Sequence, residues 1–64
     1  RKIARRESIY AKTNIEKGEI IEAKNIEIKK PALGIRPRYI SAVIGARPKK
    51  EIARDEPITW DLIF

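Results

Sequence analysis

Apolar residues never hold a helical spacing for long in this chain. No stretch of eleven residues or more keeps an i, i+3, i+4, i+7 pattern, so long helices are not expected. The local pattern points to short strands and turns. Ser8-Ile9-Tyr10-Ala11 reads as a strand with Ile9 or Tyr10 facing a core, and Ile26-Glu27-Ile28-Lys29 alternates with period two. Glu16-Lys17-Gly18-Glu19 predicts a turn with Gly18 at positive φ. A short helix is predicted over 37–44, with Pro37 in its first turn and Gly45 as its C-terminal cap. Thr59-Trp60-Asp61-Leu62 predicts one more helical turn, N-capped by Thr59.

The apolar pattern also repeats. Ile15, Glu19, Ile21 and Ile26 recur as Ile52, Glu56, Ile58 and Ile63 at an offset of 37 residues. Lys12 recurs as Lys49, Lys17 as Arg54, and Gly18 is matched by Asp55, another turn-compatible residue. Two copies of one small unit, each unable to bury its own apolar face, predict packing about a pseudo-twofold. The expected core is Ile9, Ile15, Ile21, Ile26, Ile28, Ile40, Val43, Ile44, Ile52, Ile58, Leu62 and Ile63. The expected class is mostly β with short helical turns.

Size and composition narrow the function. A chain of 64 residues is one domain at most. Cysteine and histidine are absent, which removes disulfides, thiolate metal sites and the commonest general base. No nucleophile–base pair can be assembled around Ser8, Thr13, Ser41 or Thr59, and no phosphate-binding glycine motif is present. Asp55-Glu56, beside Arg54, reads as solvated surface. No catalytic residue and no metal site are assigned. No apolar run approaches the roughly twenty residues a membrane helix needs, so no membrane partner is expected. The lack of cysteine fits a reducing compartment, and a cytoplasmic location is expected.

The net charge is +6, which suggests an anionic partner. Most cations are interleaved with acids, and only Arg1, Lys2, Arg5 and Arg6 form a dense block. Residues 1–5 read as a linker or trimmed edge, and 6–64 as the domain. Tyr39 beside Arg38 is the sole pairing suited to stacking on nucleic acid, and a half-buried tyrosine on a helical turn is the plainer reading. Nucleic acid is therefore not the expected partner. A free-standing basic nucleic-acid-binding module is retained as the alternative.

The segment Lys29-Lys30-Pro31-Ala32-Leu33-Gly34-Ile35-Arg36-Pro37 carries the best candidate site. Two prolines restrict the backbone on either side, and Gly34 is able to take positive φ. The stretch predicts a rigid loop with placed cations, where function usually sits. The plain alternative is a solvated turn with ordinary lysines. Pro31, Gly34 and Pro37 are the residues expected to set the loop geometry.

One further reading comes from the order of motifs. Ser8-Ile9-Tyr10-Ala11, Asn14-Ile15-x-x-Gly18-Glu19-x-Ile21, Asn25-Ile26, Lys29-Lys30-Pro31-x-x-Gly34-Ile35-x-Pro37, Ile44-Gly45 and Ile52-x-x-Asp55-Glu56-Pro57-Ile58-Thr59-Trp60 follow one another. This order resembles the SAF domain. It is most similar to the antifreeze-like C-terminal domain of sialic acid synthases and their spore-coat polysaccharide relatives. The resemblance covers about Arg6 to Ile63.

The resemblance implies a β-clip, pretzel-like fold with internal pseudo-twofold symmetry. It also implies a parent enzyme. In the family this domain follows a TIM barrel that condenses phosphoenolpyruvate with an N-acetylated amino sugar. Mn²⁺ or Mg²⁺ sits in that barrel, and no cofactor is implied for the small domain. The enzyme is a domain-swapped homodimer in which the domain of one chain caps the barrel of its partner. This chain would then be a substrate-capping and dimerisation module with no activity of its own. Bacterial members bring an arginine from the Lys-Arg-Pro element to the sugar, and the matching position here is Lys30. Lysine keeps the charge but lacks the planar bidentate fork. Lys29 and Arg36 are further substrate-binding candidates. The same fold resembles type III antifreeze protein, but 38% charged residues spread along the chain argue against an ice-binding face.

Overall fold

The computed structural model describes residues 5–64, so Arg1 and Lys2 of the basic block, and 1–4 of the expected linker, lie outside it. Strands β1 (Ser8–Ala11) and β2 (Ile26–Lys29) pair antiparallel, with Ser8 opposite Lys29 and Ala11 opposite Ile26. Both strands fall where the apolar pattern predicts. A single 3-10 turn at Ala23–Asn25 leads into β2. Asn25 closes it by accepting the Glu22 N–H on its side-chain oxygen at 2.8 Å.

The second half is built from single turns. A 3-10 turn at Pro37–Tyr39 runs into α1 (Ile40–Val43), and α2 (Trp60–Ile63) closes the chain. Pro37 opens the first of these because its missing N–H would have no partner there. Gly45, at φ +93°, ends it. Thr59 stands before α2 as predicted, but its side chain caps no backbone N–H. The hydroxyl is donated to the Asp61 carboxylate instead, and this bond holds the Asp61 pKa below its usual value. Among the described residues, no helix is long and apolar enough to cross a membrane.

The repeat is a true symmetry of the backbone. Ile15 and Ile52 face each other, exchanging N–H···O bonds of 2.9 and 2.8 Å. Around this pair, equivalent bonds recur at the 37-residue offset with the halves exchanged. The Ile21 N–H donates to Ala46 O at 2.9 Å, and the Ile58 N–H to Ile9 O at 3.0 Å. The Lys12 N–H donates to Asn25 O and the Lys49 N–H to Leu62 O, both at 2.7 Å. Each half also ties its turn with a glutamate: Glu19 accepts the Glu16 N–H and Glu56 accepts the Ala53 N–H, both at 2.8 Å. Gly18 (φ +79°) and Asp55 (φ +70°) take the same left-handed conformation at equivalent places. That conformation is open to glycine and tolerated by aspartate.

The core gathers on the twofold. Ile9, Ile15, Ile21, Ile52, Ile58 and Val43 are fully buried, with Ala11, Ile26, Ile35, Leu62 and Ile63 completing the cluster. Three expected members are outside it: Ile28, Ile40 and Ile44 are each about two-fifths exposed. Ile28 lies on β2, the outer strand of the pair, while the Ile35 and Ile58 backbones join the other edge of β1 and bury Ile9 opposite it. A single helical turn rolls Val43 inward and leaves Ile40 on its flank, and Ile44 is already extended beyond it.

Asp55 adds a charge to its turn. Its carboxylate accepts a 2.9 Å bond from Lys29 Nζ, which lowers the Asp55 pKa and raises that of Lys29. A lowered folded-state carboxylate pKa stabilises above the unfolded value of 3.8 and stops doing so as pH falls through the folded one. Asp55→Asn keeps a side chain that tolerates left-handed backbone but loses the charge. The stability gap between wild type and Asp55→Asn should therefore be constant near neutral pH and shrink below 3.8, as urea midpoints at pH 7 and pH 3 would show. A gap that widens in acid would contradict the pairing.

Candidate functional site

Three backbones lock the Pro-rich loop to the domain. The Ile9 N–H donates to Ile35 O, the Ile35 N–H to Ile58 O and the Ile58 N–H to Ile9 O, at 2.8, 2.7 and 3.0 Å. Ile35 is thus a buried ladder residue inside a stretch that reads as loop. The Lys30–Pro31 peptide is cis. Its Pro31 carbonyl oxygen accepts the Tyr10 hydroxyl at 2.7 Å, the Ser8 hydroxyl at 3.3 Å and the Leu33 N–H at 2.9 Å. The fully buried Ser8 also accepts the Gly34 N–H at 3.1 Å, so one hydroxyl ties two points of the loop.

Gly34 is needed for close approach and not for positive φ. A Cβ there would lie 2.5 Å from the carbonyl oxygen of Ile58. The loop pattern predicts glycine here for its conformation, and the fold requires it for lack of space.

The loop's cations divide. Lys29 is taken up by two acids, one in a turn and one on its own strand: its Nζ is 2.9 Å from Asp55 and 3.5 Å from Glu27, and it sits 5.0 Å over the Tyr10 ring. Lys30 and Arg36 instead line an open hollow of about 460 Å³, together with Arg5, Arg6, Glu7 and Pro37. Arg36 Nε is shut from solvent without a hydrogen-bond partner. Arg5 and Arg6 drew no site assignment in the sequence. Only their membership of a basic block hinted at them, and the fold supplies the convergence. Among the described residues no three acidic side chains gather closely enough to hold a metal ion.

A second surface is aromatic. Tyr39 meets Trp60 edge-on at 5.6 Å between ring centres, and Trp60 meets Phe64 at 5.3 Å. Arg38 lies 5.1 Å over Tyr39. All three rings are exposed in part, Phe64 by 70%. Sequence distance hides this trio, because Tyr39 comes from the turn before α1, Trp60 from the start of α2 and Phe64 from the residue after it.

The SAF domain family model matches residues 6–63, nearly the whole chain. The chain belongs to the SAF domain family. A pseudaminic acid synthase of Campylobacter jejuni is 33% identical to this SAF domain over 45 residues, which are 70% of the chain and 13% of that protein. An uncharacterised protein of Methanocaldococcus jannaschii is 41% identical over 56 residues, 88% of the chain and 17% of that protein. The spore coat polysaccharide biosynthesis protein spsE of Bacillus subtilis superposes with a TM-score of 0.78 at 32% identity, over 91% of this chain and 17% of its own. An antifreeze-like domain encoded in the human N-acetylneuraminic acid phosphate synthase gene, solved alone in solution, gives 0.83 at 24% identity over 89% of this chain and 73% of that one. The antifreeze-like fold expected from the motifs is therefore the fold observed. The chain spans less than a fifth of the length of the synthase, of the Methanocaldococcus jannaschii protein and of the spsE chain.

Proposed function

We propose that this SAF domain is the C-terminal substrate-capping and dimerisation module of a sugar-acid synthase that condenses phosphoenolpyruvate with an N-acetylated amino sugar. The observation that carries the reading is the pinned loop, which sets Lys30 and Arg36 on one hollow. Its relatives include proteins named as pseudaminic acid synthases, which supports the reaction class. Catalysis would belong to a barrel domain of the partner protomer. A divalent Mn²⁺ or Mg²⁺ would belong to that barrel too.

The domain's contribution is positional. Ordering a cation before the substrate arrives removes part of the entropic barrier to productive binding. Lys29 is committed to Asp55 and Glu27, so Lys30 and Arg36 are the charges left to meet a ligand. The Tyr39–Trp60–Phe64 trio, with Arg38, supports a docking face for the partner protomer, because aromatic side chains and arginine are enriched at interface cores.

The test is made on the native protein that carries this domain. Phosphate release from phosphoenolpyruvate should depend on an added N-acetylated amino sugar, and removal of the domain should suppress it. Release that ignores the sugar would refute the reading. The same aromatic trio favours the alternative, a nucleic-acid platform. That alternative predicts binding that weakens steeply with salt as counterions are released.

A further inference from the structure

One backbone oxygen of the loop holds three donors. The Pro31 carbonyl accepts the Tyr10 hydroxyl at 2.7 Å, the Leu33 N–H at 2.9 Å and the Ser8 hydroxyl at 3.3 Å. The three are not equivalent. Leu33 belongs to the same loop, so its bond travels with the loop and anchors nothing. The Ser8 bond is long for a hydroxyl donor, and the same oxygen also accepts the Gly34 N–H. Tyr10 is the short, firm tie between this carbonyl and the body of the domain. Both hydroxyls reach it because Ser8 and Tyr10 stand two apart on β1, and a strand sends alternate side chains to one face.

The tied atom lies one residue beyond Lys30. Upstream, Lys29 ends the ladder opposite Ser8. Downstream, proline fixes its own φ, so placing its carbonyl oxygen leaves little freedom in the peptide that joins it to Lys30. The Lys30 backbone is thus held from both sides, while its side chain is exposed. The Tyr10 ring has a second task. It is buried, and the Lys29 ammonium lies 5.0 Å over its face. One side chain therefore draws Lys29 aside with its ring and fixes the footing of Lys30 with its hydroxyl. Phenylalanine at position 10 separates the two tasks, because it keeps the ring and the Lys29 contact. Pro31 O would still hold the Leu33 N–H, so no acceptor is orphaned and the large penalty for an unpaired group does not arise.

We propose that Tyr10 is a positioning residue for Lys30: its hydroxyl, acting through the Pro31 carbonyl, sets where the Lys30 ammonium meets the sugar. The inference rests on the reading of Lys30 as a substrate contact. It adds to that contact a residue outside the loop, which touches no substrate itself.

The test compares Tyr10→Phe, Lys30→Ala and the double variant in the native enzyme. Tyr10→Phe should raise the KM for the amino sugar roughly threefold, the lower end of what one neutral hydrogen bond contributes, with kcat and the KM for phosphoenolpyruvate little changed. In the Lys30→Ala background the same substitution should add nothing, because the group it places is gone. A Tyr10 effect that persists in full there, or none where Lys30→Ala has one, would overturn the inference and leave the synthase reading standing. Placement is read separately by ¹⁵N relaxation of the 64-residue chain, since a domain of this fold has been solved alone in solution. Backbone order parameters at Lys30 and Leu33 should fall from about 0.85 toward 0.6 in Tyr10→Phe, while Ile9 and Ile15 keep theirs. The Tm should fall by no more than about 8 °C, the scale of one neutral hydrogen bond in a domain this small. Unchanged order at Lys30, or order lost throughout the core, would overturn the tie. Order lost in the loop alone, with a native protein indifferent to Lys30→Ala, would keep the tie and remove the synthase reading.

Discussion

Gly34→Ala is expected to lower stability by on the order of 3 kcal/mol, combining overpacking with a lost hydrogen bond. The new Cβ would overlap backbone, which cannot rotate away as a side-chain tip can. Its first contact, Ile58 O at 2.5 Å, is the acceptor for the Ile35 N–H, and Ile58 N stands at 3.1 Å. Any shift that relieves the overlap must open the Ile9–Ile35–Ile58 ring. For a domain of this size such a loss corresponds to a fall in Tm of roughly 12–24 °C. Total stability of a small domain is itself only several kcal/mol, so much of the population would unfold near body temperature. Gly18→Ala is the control: it meets nothing within 4 Å and suffers only from its positive φ. Thermal melts by circular dichroism would decide, and a Gly34→Ala melt within a few degrees of wild type would mean that the loop is not pressed against Ile58.

Ile15→Ala and Ile52→Ala are expected to cost about 2–5 kcal/mol each, the range for emptying a fully buried aliphatic site. The sharper expectation is that the two costs agree within about 1 kcal/mol, well inside that range. Both side chains are fully buried, and the two residues exchange backbone bonds of 2.9 and 2.8 Å across the pseudo-twofold. Urea denaturation of the two variants measures this directly. A large difference would show that the backbone symmetry does not extend to the packing energies. Ile21→Ala and Ile58→Ala form a second pair on the same terms, since both are fully buried.

The elements of this fold are legible because each is local. Ser8–Ala11 and Ile26–Lys29 carry their strand pattern within four residues, and Gly18 and Gly45 mark turns by conformation alone. The twofold is legible because isoleucine recurs at a fixed offset. What escapes is set by tertiary contact. Ile35 looks like loop between glycine and arginine, and only Ile9 and Ile58 make it a ladder residue. Ile28, Ile40 and Ile44 have the right chemistry for a core, yet an outer strand and a single helical turn have too little surface to bury them. The site follows the same rule. Lys30 and Arg36 stand out in the loop, but Arg5 and Arg6 reach them only through the fold. Lys29 is drawn off by Asp55, twenty-six residues away in sequence.

The central claim is that the Lys30 loop meets the substrate of a sugar-acid synthase. It is tested most directly by steady-state kinetics of the native enzyme carrying Lys30→Ala. The account predicts that the KM for the amino sugar rises about tenfold, the equivalent of about 1.4 kcal/mol, while the KM for phosphoenolpyruvate changes far less. An unchanged KM for the sugar would contradict it.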